Sequence, residues 1–381
     1  APAVSQDQGT DDVLIEEIIV FATRRAASQQ EIPIAVTAIS GSDIVDAAIK
    51  DVFDLQQYAP GLVVGQSQTT TTSNFSIRGI GTSSNNFGLE SSVGLYVDDV
   101  YRSRQNSLVN EMIDIEAVEV LRGPQGTLFG KNTPQGAIII RSVAPDHNDP
   151  NAFIEVMGGD YGLLRVAAAS NFTLTDSTAI RATVFSSTRD GYVDDLNGSS
   201  DVFNDRDRFG GQLQLAYTNN DNFDLRIIAD YSELDETCCV ALNRVDSLFA
   251  KFYTDRGSGF PGGLVPGSDF LIFGLGGTIL TEDAYSEAEI AQIRGAAQGR
   301  GLPGNGTILP GPGFDAYTTA VNSLPRSTSE DGGLSVRFDW DLADDITLTS
   351  ISAYRQFETT STIDADFTDV LLLNRQQQAQ Q

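Results

Sequence analysis

From about residue 150 onward the chain repeats one pattern: short runs of alternating apolar and polar side chains, joined by connections that are tight and long by turns. Leu213, Leu215 and Tyr217 alternate with Gln212, Gln214 and Thr218. Phe223, Leu225, Ile227, Ala229 and Tyr231 alternate with Asp224, Arg226 and Asp230, and Leu334, Val336, Phe338 and Trp340 with Ser335, Arg337, Asp339 and Asp341. Successive side chains of a strand point to opposite faces, so each run is a strand with one apolar and one polar face. Leu164 to Phe172 and Ile180 to Val184 follow the rule less cleanly, and Ile346 to Phe357 is mixed. The tight connections are Thr173 to Ser177, Asn219 to Asp221 and Leu342 to Asp344; between them stand loops around Asp190 to Asp207 and from Leu234 to about Asp331. A hairpin array with one short-turn end, one long-loop end and aromatic residues at the strand ends is expected of an outer-membrane barrel. A soluble sandwich has no reason to segregate its loops by length.

Composition narrows the choice further. The net charge of −28 disfavours a nucleic-acid partner, because the long-range field repels a polyanion. No apolar run reaches the roughly 18 residues of a membrane-spanning helix, whereas a mean hydropathy of −0.13 suits a barrel. Ala1-Pro2-Ala3 has neither a basic nor an apolar leader region, which favours a signal peptide already removed. About seven strands are visible and the run Asn374 to Gln381 is polar, so the barrel is expected to be incomplete in this chain, through truncation or completion by a second chain. Cys238 and Cys239 are adjacent and read as a structural vicinal disulfide or two loop thiols, and His147 as a solvated linker residue.

Ahead of the strands the chain has a different grain. Residues 1 to 30 form a polar tail interrupted by the β-prone run Val13 to Ala22, suited either to joining another protein's sheet edge or to serving as an ordinary edge strand. Residues 31 to 145 mix short strands with one helix. Ser42 offers the N-cap of that helix, and Ile44, Val45, Ala48, Ile49, Val52 and Leu55 recur at helical spacing until Pro60-Gly61. Strands are expected at Ile34 to Ile39, Leu62 to Val64, Phe75 to Ile80, Val93 to Val97, Ile115 to Leu121 and Ala137 to Arg141, giving a small α+β domain. Its long polar stretches Gly65 to Asn74 and Gly81 to Ser92 are candidate binding loops. A linker, Ala144 to Pro150, separates this domain from the strands of residues 151 to 381.

Gly126 to Asn132 lacks the first glycine and the terminal Ser or Thr of a phosphate-binding loop, and Gly79-Ile80-Gly81 lacks the third glycine of a dinucleotide fingerprint. Asp194, Asp195, Asn197 and Asp201 could hold a hard cation but read better as a solvated acidic loop. No catalytic constellation is visible, so the chain is read as a non-enzyme.

The run Val118-Glu119-Val120-Leu121-Arg122-Gly123-Pro124-Gln125-Gly126-Thr127-Leu128-Phe129-Gly130, continuing to Ile138, closely resembles the plug signature of TonB-dependent outer-membrane transporters. Asn74 to Gly79 and Val93 to Val100 are similar to plug strands of that family, so the resemblance covers about residues 13 to 145 strongly and the strand region more loosely. It implies an α+β plug domain followed by antiparallel transmembrane β-barrel strands, although the family's barrel of about 22 strands exceeds what this chain can hold. It further implies that Ile15, Glu16, Glu17, Ile18, Ile19, Val20, Phe21 and Ala22 act as a TonB box, pairing with a TonB-type periplasmic energy-coupling protein. Gln66, Gln68, Asn74, Ser83, Asn85, Asn86, Phe87, Arg102 and Arg104 fall where plug apex loops meet solute, and Arg78 and Arg122 where plug cations meet barrel carboxylates. The other partners implied are outer-membrane lipid and a small solute or metal chelate. No cofactor is implied, the substrate being most simply a chelated iron complex; a glycan or other solute, an adhesin or signalling receptor that does not transport, and a secreted β-rich enzyme are the rival readings.

Overall fold

The computed structural model describes residues 19–24, 27–66, 69–82, 89–108, 111–195, 199–219, 222–240, 318–319, 321, 324–343, 345–364 and 374–380. A two-residue pair, β1 (Ile19–Val20) with β2 (Ala27–Ser28), leads into β3 (Ala35–Ser40) and the short helix α1 (Gly41–Asp46). The plug continues through the hairpin β4 (Leu62–Gln66) and β5 (Ser73–Ile77), β6 (Ile80–Gly81), the hairpin β7 (Val93–Val97) and β8 (Val100–Tyr101), β9 (Ile115–Arg122), the single turn α2 (Gly126–Phe129) and β10 (Gly136–Ser142). Its main sheet has the order β3-β9-β10-β7-β8, with β10 parallel to β7 and antiparallel to β9. On one face Val118, Val120, Ile138 and Ile140 pack against Ile44, Ile49, Val52, Leu55 and Phe75. On the other, Leu121, Ala137 and Ile139 pack under Val20, Ala22, Val36 and Phe129.

The long helix expected over 42 to 59 is instead broken. Ser40, not Ser42, caps it, in a reciprocal capping box with Asp43. The Ile49 amide donates to the Ile44 carbonyl while Ala48 adopts φ +52, a Schellman ending with alanine in the place glycine usually takes. Val45, expected on the buried face, is therefore exposed, and the chain is freed to form the bridge between Asp51 and Glu111. A 3-10 turn, Asp54–Gln57, buries Leu55.

Residues 152 to 380 supply the wall: β11 (Ala152–Gly158), β12 (Leu164–Thr175), β13 (Thr178–Arg189), the small rim strands β14 (Val193–Asp195) and β15 (Ser199–Phe203), β16 (Arg206–Asn219), β17 (Phe223–Thr237), β18 (Thr318–Thr319), β19 (Arg326–Ala343), β20 (Ile346–Asp364) and β21 (Asn374–Gln380). Eight of these, β11-β12-β13-β16-β17-β19-β20-β21, form one antiparallel sheet in sequence order. The strands that flank the three expected tight turns pair as antiparallel neighbours, β12 with β13, β16 with β17 and β19 with β20. The polar run at the end of the chain, expected to be no strand, is β21, because ladder bonds along β20 suffice to order it without an apolar face. Alternation predicts the faces correctly: Leu213, Tyr231, Leu334 and Trp340 are exposed outward, whereas Arg165, Arg181, Arg208, Gln214 and Glu236 are buried inward. This inside-out arrangement is what a lipid-facing wall requires.

At the long-connection end, β14, β15 and β18 make a separate small sheet over Val193, Phe203 and Val240. Cys238 and Cys239 are bonded to each other beside it; the Cys238 amide extends the β17–β19 ladder to Pro325, and the Cys239 amide turns to the Asn204 side chain. Asp194 and Asp195 lie in β14, no metal-binding group of acids, histidines or cysteines occurs among the described residues, and Asn197 and most of the large loop lie outside them.

Two predictions follow from this geometry. Gly136 has φ +151, and a β-carbon there would stand 2.1 Å from the Leu121 carbonyl oxygen, so Gly136→Ala should cost more than about 2 kcal/mol in denaturant unfolding. Burial at the rim, aided by Glu236, Asp235 and Asp207 and opposed by a hydrogen bond from the Thr237 amide, pushes the Asp205 carboxyl up to about 6. A raised carboxyl binds its proton more tightly in the folded state, so wild type should lose stability as pH rises from about 4 to 6. Asp205→Asn should flatten that limb in melting experiments across the interval.

Candidate functional site

The polar face of the wall meets the plug through charge, and the acids lie on the plug. The Asp51–Glu111 bridge sets two carboxylates side by side, facing three arginines of the wall. Arg165 Nε donates to Glu111 at 2.9 Å, Arg206 reaches Asp51 at 3.3 Å and Glu111 at 3.5 Å, and Arg208 lies within 3.7 Å of both while donating to Glu236 at 2.6 Å. Burial raises the Asp51 carboxyl above its ordinary value, against the opposing pull of Arg208 and Arg206. Toward the short-turn end, Arg181 Nε donates to Asp114 at 2.6 Å and Thr183 to the same carboxylate at 2.7 Å.

Asp98 and Asp99 are the two central residues of the β7–β8 hairpin, both at positive φ, as a two-residue turn matched to strand twist demands. The turn directs Asp98 toward Arg226 and Gln212, while both of its oxygens also accept from Ser142. Asp99 joins Arg337 of the wall to Arg24 of the N-terminal segment, the latter at 3.2 Å. Asp114 also stands at positive φ, so three acids that grip the wall hold a conformation that aspartate tolerates better than most residues.

One plug cation runs the other way. Arg102 is buried and reaches Asp331 at 3.2 Å and Asp230 at 4.0 Å; Arg355 bridges the same two aspartates. Arg102, Arg104, Ser103, Tyr101, Arg355 and Phe357 are among the residues lining a cavity of about 430 Å3 between plug and wall.

Several sequence expectations are corrected here. Arg78 and Arg122 do not meet wall carboxylates: Arg78 is exposed without an ion pair to any described residue, and Arg122 donates to the Pro60 carbonyl at 3.2 Å. Arg102 makes the kind of plug–wall pair expected of them. It thus pairs with wall carboxylates and, like Arg104, lines the cavity. Nor do the described residues of the stretch 65 to 74 form an open loop. β4 and β5 pair across it, Thr69 to Ser73 are buried, and Thr71 Oγ1 lies 3.0 Å from Ser361 Oγ at the long-connection end of β20. Gln66 stays exposed, donating to the Thr70 carbonyl, and Asn74 pairs with Gly65 across the hairpin. Val20, Phe21 and Ala22 are docked on the plug rather than free. Ile15, Glu16, Glu17, Ile18, Gln68, Ser83, Asn85, Asn86 and Phe87 lie outside the described residues.

The acids Asp51, Asp98, Asp99, Glu111 and Asp114 were not singled out in the sequence. The two-residue gap between Val97 and Val100 marks a tight turn, but nothing local marks what the turn faces.

A small domain seated by charge against the polar face of an inside-out antiparallel wall is the arrangement of a plug set against part of a β-barrel. Residues 28–137 match the family model described as the TonB-dependent receptor plug domain, and that segment is such a domain. The chain is 31% identical over 156 residues to the pesticin receptor of Yersinia enterocolitica, covering 40% of this chain and 22% of the relative. It is 25% identical over 219 residues to the ferripyoverdine receptor of Pseudomonas aeruginosa, covering 57% and 25%. Its fold matches the ferric yersiniabactin uptake receptor FyuA from Yersinia pestis with a TM-score of 0.62 at 20% identity, over 87% of this chain and 42% of that one. The chain thus spans about a fifth to a quarter of the length of the curated relatives it matches.

Asp114 and Arg181 give the cleanest test of the interface, each side chain at most 5% exposed. Asp114→Ala should cost about 3–5 kcal/mol by leaving a buried guanidinium unpaired. Adding Arg181→Met should recover much of that loss in a double-mutant cycle followed by denaturant unfolding.

Proposed function

We propose that the receptor to which this chain belongs imports a ferric siderophore across the outer membrane, driven by a TonB-type periplasmic protein acting on residues 15 to 22. The observation that carries this reading is the plug–wall interface. Its contacts are concentrated in carboxylate–arginine pairs, which can exchange for water on both sides when the plug is pulled, whereas a wholly apolar seat would resist separation. Such an interface suits a stopper that must yield repeatedly, and no covalent chemistry is needed. The solute class is supported by the relatives, which include a ferripyoverdine receptor and a catecholate siderophore receptor.

Two experiments test the reading. A peptide of residues 11 to 25 should bind the purified C-terminal domain of the cognate TonB-type protein saturably, and Ile18→Pro should abolish binding by preventing strand pairing. Cells lacking the receptor should lose uptake of radio-iron supplied on the cognate siderophore. Unchanged iron uptake, with a glycan or other solute lost instead, would displace the siderophore reading while leaving energy coupling in place.

A further inference from the structure

The two faces of the plug sheet are built differently. Beneath α1 the middle of strands β9 and β10 presents Val118, Val120, Ile138 and Ile140. On the opposite face, among Leu121, Ala137 and Ile139, the same strands carry Glu119 and Arg141. Glu119 is 1% exposed, and Arg141 Nη1 donates to it at 2.9 Å.

What covers this charged pair is the chain's own N-terminal segment. The Phe21 amide donates to both Glu119 oxygens, at 2.9 and 3.1 Å, and the Phe21 ring lies under the Arg141 guanidinium at 3.9 Å. Val20 and Ala22 on either side are fully buried. Three residues on, the Arg24 guanidinium lies 4.4 Å from the centre of the Phe129 ring and 5.3 Å from that of Tyr96. It also pairs with Asp99, which in turn holds Arg337 of the wall.

A permanent cover would be served better by apolar side chains at 119 and 141, since a buried ion pair adds little stability over a well-packed apolar one. A charged pair that meets the Phe21 amide and ring when covered and is hydrated when bare suits a cover that comes off. We propose that Glu119 and Arg141 form a socket for Phe21, and that docking in it sets how often residues 20 to 24 are free to pair with the periplasmic coupling protein. The inference rests on the coupling role given to residues 15 to 22. Glu119 and Arg141 are positioning residues: they touch neither solute nor partner, and act by withholding a strand that the partner needs. The partner's apparent affinity for the whole chain is then its affinity for the free segment reduced by the undocked fraction.

The test is hydrogen exchange of the detergent-solubilised chain, reading the Phe21 amide against those of β9 and β10. Glu119→Gln should speed exchange at Phe21 about tenfold or more, as expected for losing a charged acceptor, with the β9–β10 ladder unchanged. The same variant should bind the coupling domain more tightly by a matching factor, while the isolated 11-to-25 peptide, which lacks the socket, sets the upper limit. A merely destabilising substitution would not raise affinity for a partner. Should Glu119→Gln expose β9 and β10 as well, Phe21→Ala decides the docking, because it removes the ring without touching the plug core and should speed exchange several-fold. Fast exchange at Phe21 in wild type, or exchange unaltered in Phe21→Ala, overturns the socket. Release without tighter binding, while the free peptide binds, overturns its control of coupling. Failure of the free peptide to bind removes the coupling reading instead, and the exchange data still decide whether the socket exists.

Discussion

Everything in this fold depends on how a charged plug surface sits against a wall whose polar face points inward. The eight-stranded wall turns its apolar face outward, as a lipid environment would require, and its inward face carries the polar side chains, here arginines. Arginine keeps its charge when buried, and its planar fork lets one guanidinium meet two acceptors. Arg208 does so between the plug and Glu236, and Arg226 between Asp98 and Gln214. The plug answers with carboxylates placed on backbone that can hold them: a β-bridge for Asp51 and Glu111, and left-handed turn positions for Asp98, Asp99 and Asp114.

Pairs of this kind contribute specificity of seating more than net stability. Removing one partner is costly because the other is left bare, yet the complete pair competes poorly with a hydrophobic contact. The plug therefore draws its stability from its own core, around Leu55, Phe75, Leu95 and Ile138, and its position from charge. Separating the two tasks lets the plug shift without unfolding. The same logic recurs on the face that receives Phe21, where Glu119 and Arg141 interrupt an otherwise apolar surface. Asp99 touches both systems, binding Arg337 of the wall and Arg24 of the docked segment.

How much of this could be read from the sequence follows the range of each interaction. Period-two alternation is local, so the strands, their faces and their short turns were legible from Leu213, Tyr231, Trp340 and their neighbours. The plug was legible through the run from Val118 to Gly130. The end of α1 was not, because Ala48 gives no warning that it will take a position normally left to glycine. β21 was missed because its polar side chains hide a strand specified by backbone pairing alone. The interface was illegible for a deeper reason: Asp114 and Arg181 are 67 residues apart and Asp99 and Arg337 are 238 apart, and no spacing rule connects them. Arg78 and Arg122 meet no described wall carboxylate, because charge and a family signature identify a cation without saying which face of the plug presents it.

The central claim is that the plug must part from this wall at its ion pairs for solute to pass. The most direct measurement is a reversible cross-link that leaves those pairs intact, with Thr71→Cys and Ser361→Cys replacing a hydrogen-bonded plug–wall pair of 3.0 Å. Solute uptake is then compared in cells before and after oxidation. The account predicts that oxidation blocks uptake, leaves solute binding at the surface intact, and is reversed by a reductant. Uptake that continues unchanged through the cross-linked form would contradict it, because the plug would then be passing solute without leaving this part of the wall.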